Sequence, residues 1–410
     1  MNSGDTAFVL FSTGLVMLMT PGLALFYGGM VRRKNILGVL MQCFTILAVL
    51  SLQWVLFGYS LAFAPGKGLI GGLGWLGLHG VGLEPYAGYA ATIPHQAFMI
   101  FQAMFAVITP ALIIGAFAER MKFSAFLLFT VLWATLVYDP VCHWVWGIGG
   151  WLRNMGALDF AGGTVVHVNA GIAALAASLA IGKRRNFDHQ DKPIPPHNLP
   201  FTALGTGLLW FGWFGFNAGS ALAANGLAAN AFVVTNTAAA AAGLSWALLE
   251  WIFHDKPTLL GTASGAVAGL VAITPAAGYV SVLPAILIGL LASVLCFLAV
   301  GFLKPRLGYD DSLDAFGVHG IGGIWGALAT GFFASKAVNP GGADGLFFGH
   351  PGQVLIQLGA VLATAVYSFV ASYLLFKLVD KVIGLRVSET EENMGLDLTQ
   401  HHERAYAVLE

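Results

Sequence analysis

Two histidines, His167 and His319, stand where ionisable residues are rare, inside long apolar stretches. An ionisable side chain at such a depth is a functional candidate by default, because lipid does not solvate it. The two surroundings match. Asp159-Phe-Ala-Gly-Gly-Thr-Val-Val-His167 leads into one apolar run, and Asp314-Ala-Phe-Gly-Val-His319 leads into another. Each is an acid, a Gly-containing turn, and a histidine within about two turns of a helix. A neutral imidazole offers one donor and one acceptor, so two in series can pass a small polar solute or relay a proton. The two rings are expected to meet and to hydrogen-bond to each other, since an unpaired polar group in hydrocarbon costs several kcal/mol. Asp159 and Asp314 read as N-caps of the helices they precede. At Asp159 an electrostatic contribution to a pore mouth is the alternative. His143 lies among aromatics near a helix end and reads as structural. No HxxxH or Cys/Asp cluster accompanies the histidines, so neither a metal nor another cofactor is indicated. No nucleophile stands in the motifs either, which argues against an enzyme.

Aromatic clusters supply a second kind of chemistry. Phe101-Gln-Ala-Met-Phe105 has i,i+4 spacing, which puts both rings on one helix face. Trp144, Trp146 and Trp151 crowd the end of another helix. In Trp210-Phe-Gly-Trp-Phe-Gly-Phe216-Asn-Ala-Gly-Ser220, Phe216 and Ser220 share a face. Taken alone, each stripe reads as core packing. Aromatic faces can also attract a partly desolvated cation.

The elements that must position these groups follow from composition. The chain of 410 residues is 57% hydrophobic and 10% charged, with a mean hydropathy of +0.78. Ordinary soluble domains carry roughly 25% charged residues, so lipid must solvate much of this one. The net charge of -1 points to no nucleic-acid or other polyionic partner. The start lacks a basic signal-peptide region and reads as a first membrane helix. Apolar runs predict about eleven transmembrane helices, at 7–30, 36–63, 92–118, 124–146, 163–182, 200–220, 229–253, 258–275, 280–302, 314–335 and 352–380. The fold class is an all-α membrane protein, without the alternating segments of a β-barrel. With the N-terminus outside, only Lys67, Arg153 and Lys336 of the 19 Lys and Arg fall on the outer side, as the positive-inside bias requires. The charged loop around 183–192 and the C-terminal tail are then cytosolic. The chain divides into a membrane domain, 1–385, and a polar tail, 386–410. Gly and Ala recur at small-residue spacing, as in GTASGAVAG and GIGGIWGAL, and predict close helix packing. Five spans separate the two histidine motifs, an odd number. Helices 1–5 and 6–10 therefore form inverted repeats, with a long eleventh helix added.

The sequence resembles the ammonium transporter (Amt/Mep/Rh) family, on its bacterial Amt branch. The resemblance is carried by PGLALFYGGMVRRKN, ALDFAGGTVVHVNAG, GLLWFGWFGFNAGS, ITPAAGYV, DDSLDAFGVHGIGG and GLDLTQHHERAY, which run from the first helix to the tail. It implies a multi-pass protein of the inner or plasma membrane that moves ammonium or ammonia, with methylammonium as an analogue. It implies a homotrimer with one pore per subunit. Trp146, Phe105 and Ser220 would form an outer recruitment site, with Asp159 holding its architecture. Phe105 and Phe216 would be a stacked gate, and His167 and His319 the twin histidines of the pore. Trp146 itself sets the chain apart from Rhesus-type members. The tail segment GLDLTQHHERAY resembles the part of the family that takes part in regulation by PII-type signal proteins.

Overall fold

Ten helices long and apolar enough to cross a membrane, and one shorter apolar helix, make up the bundle in a computed structural model that describes residues 1–185, 187 and 194–407. Part of the charged loop 183–192 and tail residues 408–410 lie outside the described residues. The helices are α1 Ser3–Met30, α2 Arg33–Phe63, α3 His95–Phe117, α4 Phe123–Trp146, α5 Gly163–Ile181, α6 Leu199–Gly219, α7 Gly226–His254, α8 Leu259–Ile273, α9 Val282–Leu307, α10 Phe316–Phe333 and α11 Gly352–Ile383. They agree with the runs read from the sequence to within a few residues. Only helices satisfy every backbone group within one segment, which is why apolar runs of this length fold this way in lipid. The tail adds two short helices, α12 Glu389–Met394 and α13 Leu396–His401. An odd number of crossings leaves the N-terminus and the tail on opposite faces. These are called below the far face and the tail face.

Two pairs of helices at corresponding places in the two halves share an irregularity, whereas a π turn in α2 at Trp54–Gly58 has no counterpart in α7. The fourth and ninth helices each widen into a π turn, at Ala134–Tyr138 and Ala299–Leu303. So do the fifth and tenth at their starts, Gly163–Val168 and Phe316–Gly320, and these two turns hold His167 and His319. Such turns are rare and concentrate at functional sites. At the first, Asp159 caps four successive amides. Its Oδ1 accepts from Gly162 and Gly163, and its Oδ2 from Thr164 and Val165, at 2.7–3.0 Å. Gly162 has φ 114° there, which a side chain rarely tolerates.

The second cap corrects the sequence reading. Asp311, not Asp314, accepts the amide of Phe316, at 2.7 Å. Asp314 adopts φ 59° and ion-pairs with Lys304 at 2.6 Å. Spacing explains the exchange. Asp159 stands eight residues before His167, and Asp311 stands eight before His319. Asp314 is too close to its histidine to reach back over the turn.

Bare backbone joins the two half-repeats. A Cβ on Gly171 of α5 would lie 2.1 Å from the amide nitrogen of Gly320 in α10. A Cβ on Gly323 would lie 2.9 Å from the His167 Cβ. Both positions require glycine for this approach, and the approach sets the distance between the histidines. The outer faces of α7, α9 and α11 are apolar and exposed, as at Ile252, Leu283 and Leu355, which suits contact with lipid.

The charges of the tail face are more buried than loop charges usually are. Arg184 forms ion pairs with Asp310 at 2.9 Å and Glu119 at 3.0 Å, and Arg32 joins Glu119 at 3.1 Å. Arg120 is 0% exposed and donates to the carbonyls of Ala116, Gly182 and Asp310. The tail continues this network. Glu392 pairs with Arg386, Asn35 accepts the Leu396 amide, and Asp397 accepts the Gly38 amide.

Candidate functional site

A vestibule of about 450 Å³ opens on the far face. Its lining includes Phe105 of α3, Trp146 of α4, Asp159, Ser220 and Tyr279. The Trp146 indole N–H donates to the Asp159 carbonyl at 2.8 Å, and this fixes the ring. The Ser220 hydroxyl donates to the Phe216 carbonyl at 2.8 Å. Its proton is therefore engaged, and its oxygen is left as an acceptor. Asp159 is buried, with both oxygens occupied by amides, so it shapes the vestibule as a cap.

Below the vestibule the rings close on one another. Phe105 and Phe216 have centroids 4.3 Å apart, and Trp146 meets Phe105 edge-on at 5.8 Å. Beyond Phe216 lies a cavity of about 10 Å³, bordered by His167, His319, Trp213, Val267 and other apolar side chains. That is about the volume of a single water probe. The His167 and His319 centroids are 5.4 Å apart, with planes inclined by 16°. The rings meet, as expected from the repeat. The hydrogen bond expected between them is not made: both nitrogens of His167 and Nδ1 of His319 lack a protein partner. The glycine contacts bring the rings side by side, but the two π turns do not aim one nitrogen at the other. Buried polar atoms without partners are costly, so this pair is open to a polar solute.

His319 also borders a second cavity of about 40 Å³, lined by Tyr27, Leu313 and Asp314 toward the tail face. Vestibule, aromatic closure, histidine cavity and this inner space lie in order along the bundle. Burial pushes the carboxyl of Asp311, the cap of the α10 start, up to about 6, against the pull of Lys304.

Residues 7–406 match the model of the Ammonium Transporter Family. The chain belongs to the ammonium transporter family. An ammonium transporter of Bacillus subtilis is 57% identical over 406 residues, covering 99% of each chain. The crystal structure of Candida albicans Mep2 superposes with a TM-score of 0.89 at 37% identity, over 95% of this chain and 88% of that one. A sensor Amt protein gives 0.90 at 31% identity, over 97% and 98%. The family is one of transporters and not of enzymes.

Within this ammonium transporter family member, Phe105, Trp146, Asp159, Phe216 and Ser220 converge at the mouth, and His167 and His319 lie beneath them. Sequence reasoning missed three neighbours. Trp213 lies with its ring centroid 5.4 Å from that of His167, and its indole N–H is bound to Thr274 at 2.8 Å. Its signal was its place in the Trp210–Ser220 stretch, one turn before Phe216. Tyr89 and Arg153 also line the vestibule. Arg153 carried a signal too, as a basic residue on the wrong side of the charge bias.

Proposed function

We propose that this transporter captures NH₄⁺ at Phe105, Trp146 and Ser220, removes its proton, and conducts NH₃ through the Phe105–Phe216 gate and past His167 and His319, with the proton transferred separately. The observation that carries this reading is the histidine cavity. It is one water probe in size, lined by apolar and aromatic side chains besides its histidines, and three of the four histidine nitrogens lack protein partners. A hydrated cation does not fit it. Taking a charge through the bilayer centre costs from ~3 to over ~10 kcal/mol. The pKa of ammonium lies about two units above neutral pH, so releasing the proton costs only ~3 kcal/mol. Deprotonation is the cheaper route, and it rejects metal cations. At the mouth, a Trp face is worth up to ~2 kcal/mol to a desolvated cation. Ser220, with its own proton engaged, accepts from N–H, which potassium cannot offer. Asp159 acts through the architecture it caps.

Further assignments rest on the family and on charge. The tail face, rich in Lys and Arg, is cytosolic in an inner or plasma membrane, and the N-terminus is outside. The subunit assembles as a homotrimer with one pore each. The tail, 386–410, is regulatory, and a PII-type protein is its proposed partner.

The test is current and uptake in liposomes under imposed ammonium and potassium gradients. His167→Ala and His319→Ala should remain folded and lose most ammonium current. His167→Asp places a carboxylate in the pore and should admit potassium. Wild-type current and selectivity in all three variants would overturn the twin-histidine reading. Wild-type uptake without current would overturn the separate proton transfer.

A further inference from the structure

The vestibule holds one ionised group that the proposed capture of ammonium does not use, and it has the wrong sign for a cation site. Arg153 lines the same space as Phe105, Trp146 and Ser220. Its Nη1 donates to the Trp146 carbonyl at 2.8 Å, and its guanidinium carbon lies 5.9 Å from the centre of the Tyr89 ring. Tyr89 is itself fixed, donating to the Phe63 carbonyl and accepting the Ile148 amide. Trp146 is thus held at two points, by Asp159 through its indole and by Arg153 through its backbone. Among the described residues Arg153 has no carboxylate at ion-pair distance. Asp159, the one acid in the lining, directs both oxygens to amides. A guanidinium stays charged at any working pH.

We propose that Arg153 is a specificity-determining residue of the vestibule, positioning Trp146 through its carbonyl and holding a solvent-exposed positive charge in the same vestibule as the captured cation. This rests on reading the vestibule as the recruitment site. Two effects follow from one charge. A like charge disfavours NH₄⁺ in the vestibule, which raises the half-saturation concentration. It also favours the neutral form of a bound ammonium, because a nearby cation promotes loss of the proton. Arg153 therefore weakens capture and assists deprotonation, while neutral NH₃ feels neither effect. Both effects are screened by salt. The Debye length is ~30 Å at 0.01 M and falls to a few Å near ~1 M.

The experiment measures ammonium-dependent current in liposomes, as half-saturation and maximal current, at ~10 mM and ~500 mM inert salt. At low salt, Arg153→Gln should lower the half-saturation concentration by roughly three- to tenfold and also lower the maximal current. At high salt both should converge on wild type. Arg153→Lys, which keeps the charge, should show the wild-type salt dependence. Arg153→Gln and Arg153→Ala, both too short to reach the Trp146 carbonyl, should alter the ratio of methylammonium to ammonium uptake, and Lys should alter it less. Wild-type half-saturation for Arg153→Gln at both salts, or Lys behaving like Gln, would overturn the proposal. Trp146→Leu is run beside them. If it shifts half-saturation and Arg153→Gln does not, this inference alone fails. If Trp146→Leu is also unchanged, the recruitment site itself fails.

Discussion

Replacing Asp159 tests whether its role is to cap or to touch the substrate. The carboxylate accepts four amide N–H groups at 2.7–3.0 Å, and the side chain is 6% exposed. In Asp159→Ala all four donors lose their acceptor. Each buried donor left unsatisfied costs ~1–3 kcal/mol. Removing the carboxylate returns part of its own desolvation cost, and water from the vestibule can reach some of the amides. The net loss should resemble that of breaking a buried charged contact, ~3–5 kcal/mol. Asp159→Asn keeps one oxygen for two amides and turns an NH₂ toward the other two. It should lose about half as much, ~2 kcal/mol. These losses act on the π turn that carries His167, so they should appear as local opening. At ~1.4 kcal/mol per factor of ten, hydrogen exchange at residues 162–167 should speed by roughly a thousandfold in Ala and some tenfold or more in Asn. Exchange in α7 and α11 should change far less. Current should fall in the same order. Wild-type protection in Asp159→Ala, with current nevertheless lost, would refute the capping argument and make Asp159 a direct ligand.

The second cap should separate its two acids: Asp311→Asn should destabilise the α10 start by ~1–3 kcal/mol, while Asp314→Asn, which breaks a partly buried ion pair but leaves the Lys304 ammonium bound to the Asp311 carbonyl, should cost ~1 kcal/mol or less. Thermal unfolding of the purified variants checks this, and equal losses would count against Asp311 as the cap. Deleting the chain from Gly395 removes the contacts of Leu396, Asp397 and Gln400 with Asn35, Gly38 and Phe123. The truncated protein should still insert and fold, and its ammonium flux or its response to nitrogen supply should change. Identical uptake in ammonium-rich and ammonium-poor growth would argue against a regulatory tail. On the tail face, burial acts to raise the Glu119 and Asp310 carboxyls, but Arg184, with Arg32 beside Glu119 and Arg120 beside Asp310, outweighs it and holds both below their usual range. A depressed carboxyl contributes stability above its unfolded value, near ~4, and loses it as pH falls through the lower folded value. Melting temperature in detergent should hold down to about pH 5 and fall below about pH 4, and Glu119→Gln should flatten that fall. A fall centred near neutral pH would contradict the ion-pair account.

The sequence by itself determined what depends on hydrophobicity, length and local pattern. Apolar runs of spanning length have one outcome in lipid, so eleven helices and their ends were legible. An odd number of spans between two matching motifs implied inversion, and the π turns at matching places in α4, α5, α9 and α10 agree with it. The histidines stood out because few ionisable residues lie in such runs. The tertiary structure decided everything that depends on which distant surfaces touch. The 5.4 Å between His167 and His319 is set by the contact of Gly171 with Gly320, and no local pattern gives that pairing. The lack of a hydrogen bond between the rings comes from their orientation on two separate turns. Asp311 replaced Asp314 as a cap because reaching back to an amide depends on the path of the turn, which the nearer acid to His319 concealed. Arg120 and Arg184 look like ordinary loop cations in sequence, yet both are buried, Arg184 against Glu119 and Asp310 from two other loops and Arg120 against Asp310. Charge alone indicated their side of the membrane. Burial and pairing required the packed bundle, because an ion pair exists only where folding brings opposite charges out of water together.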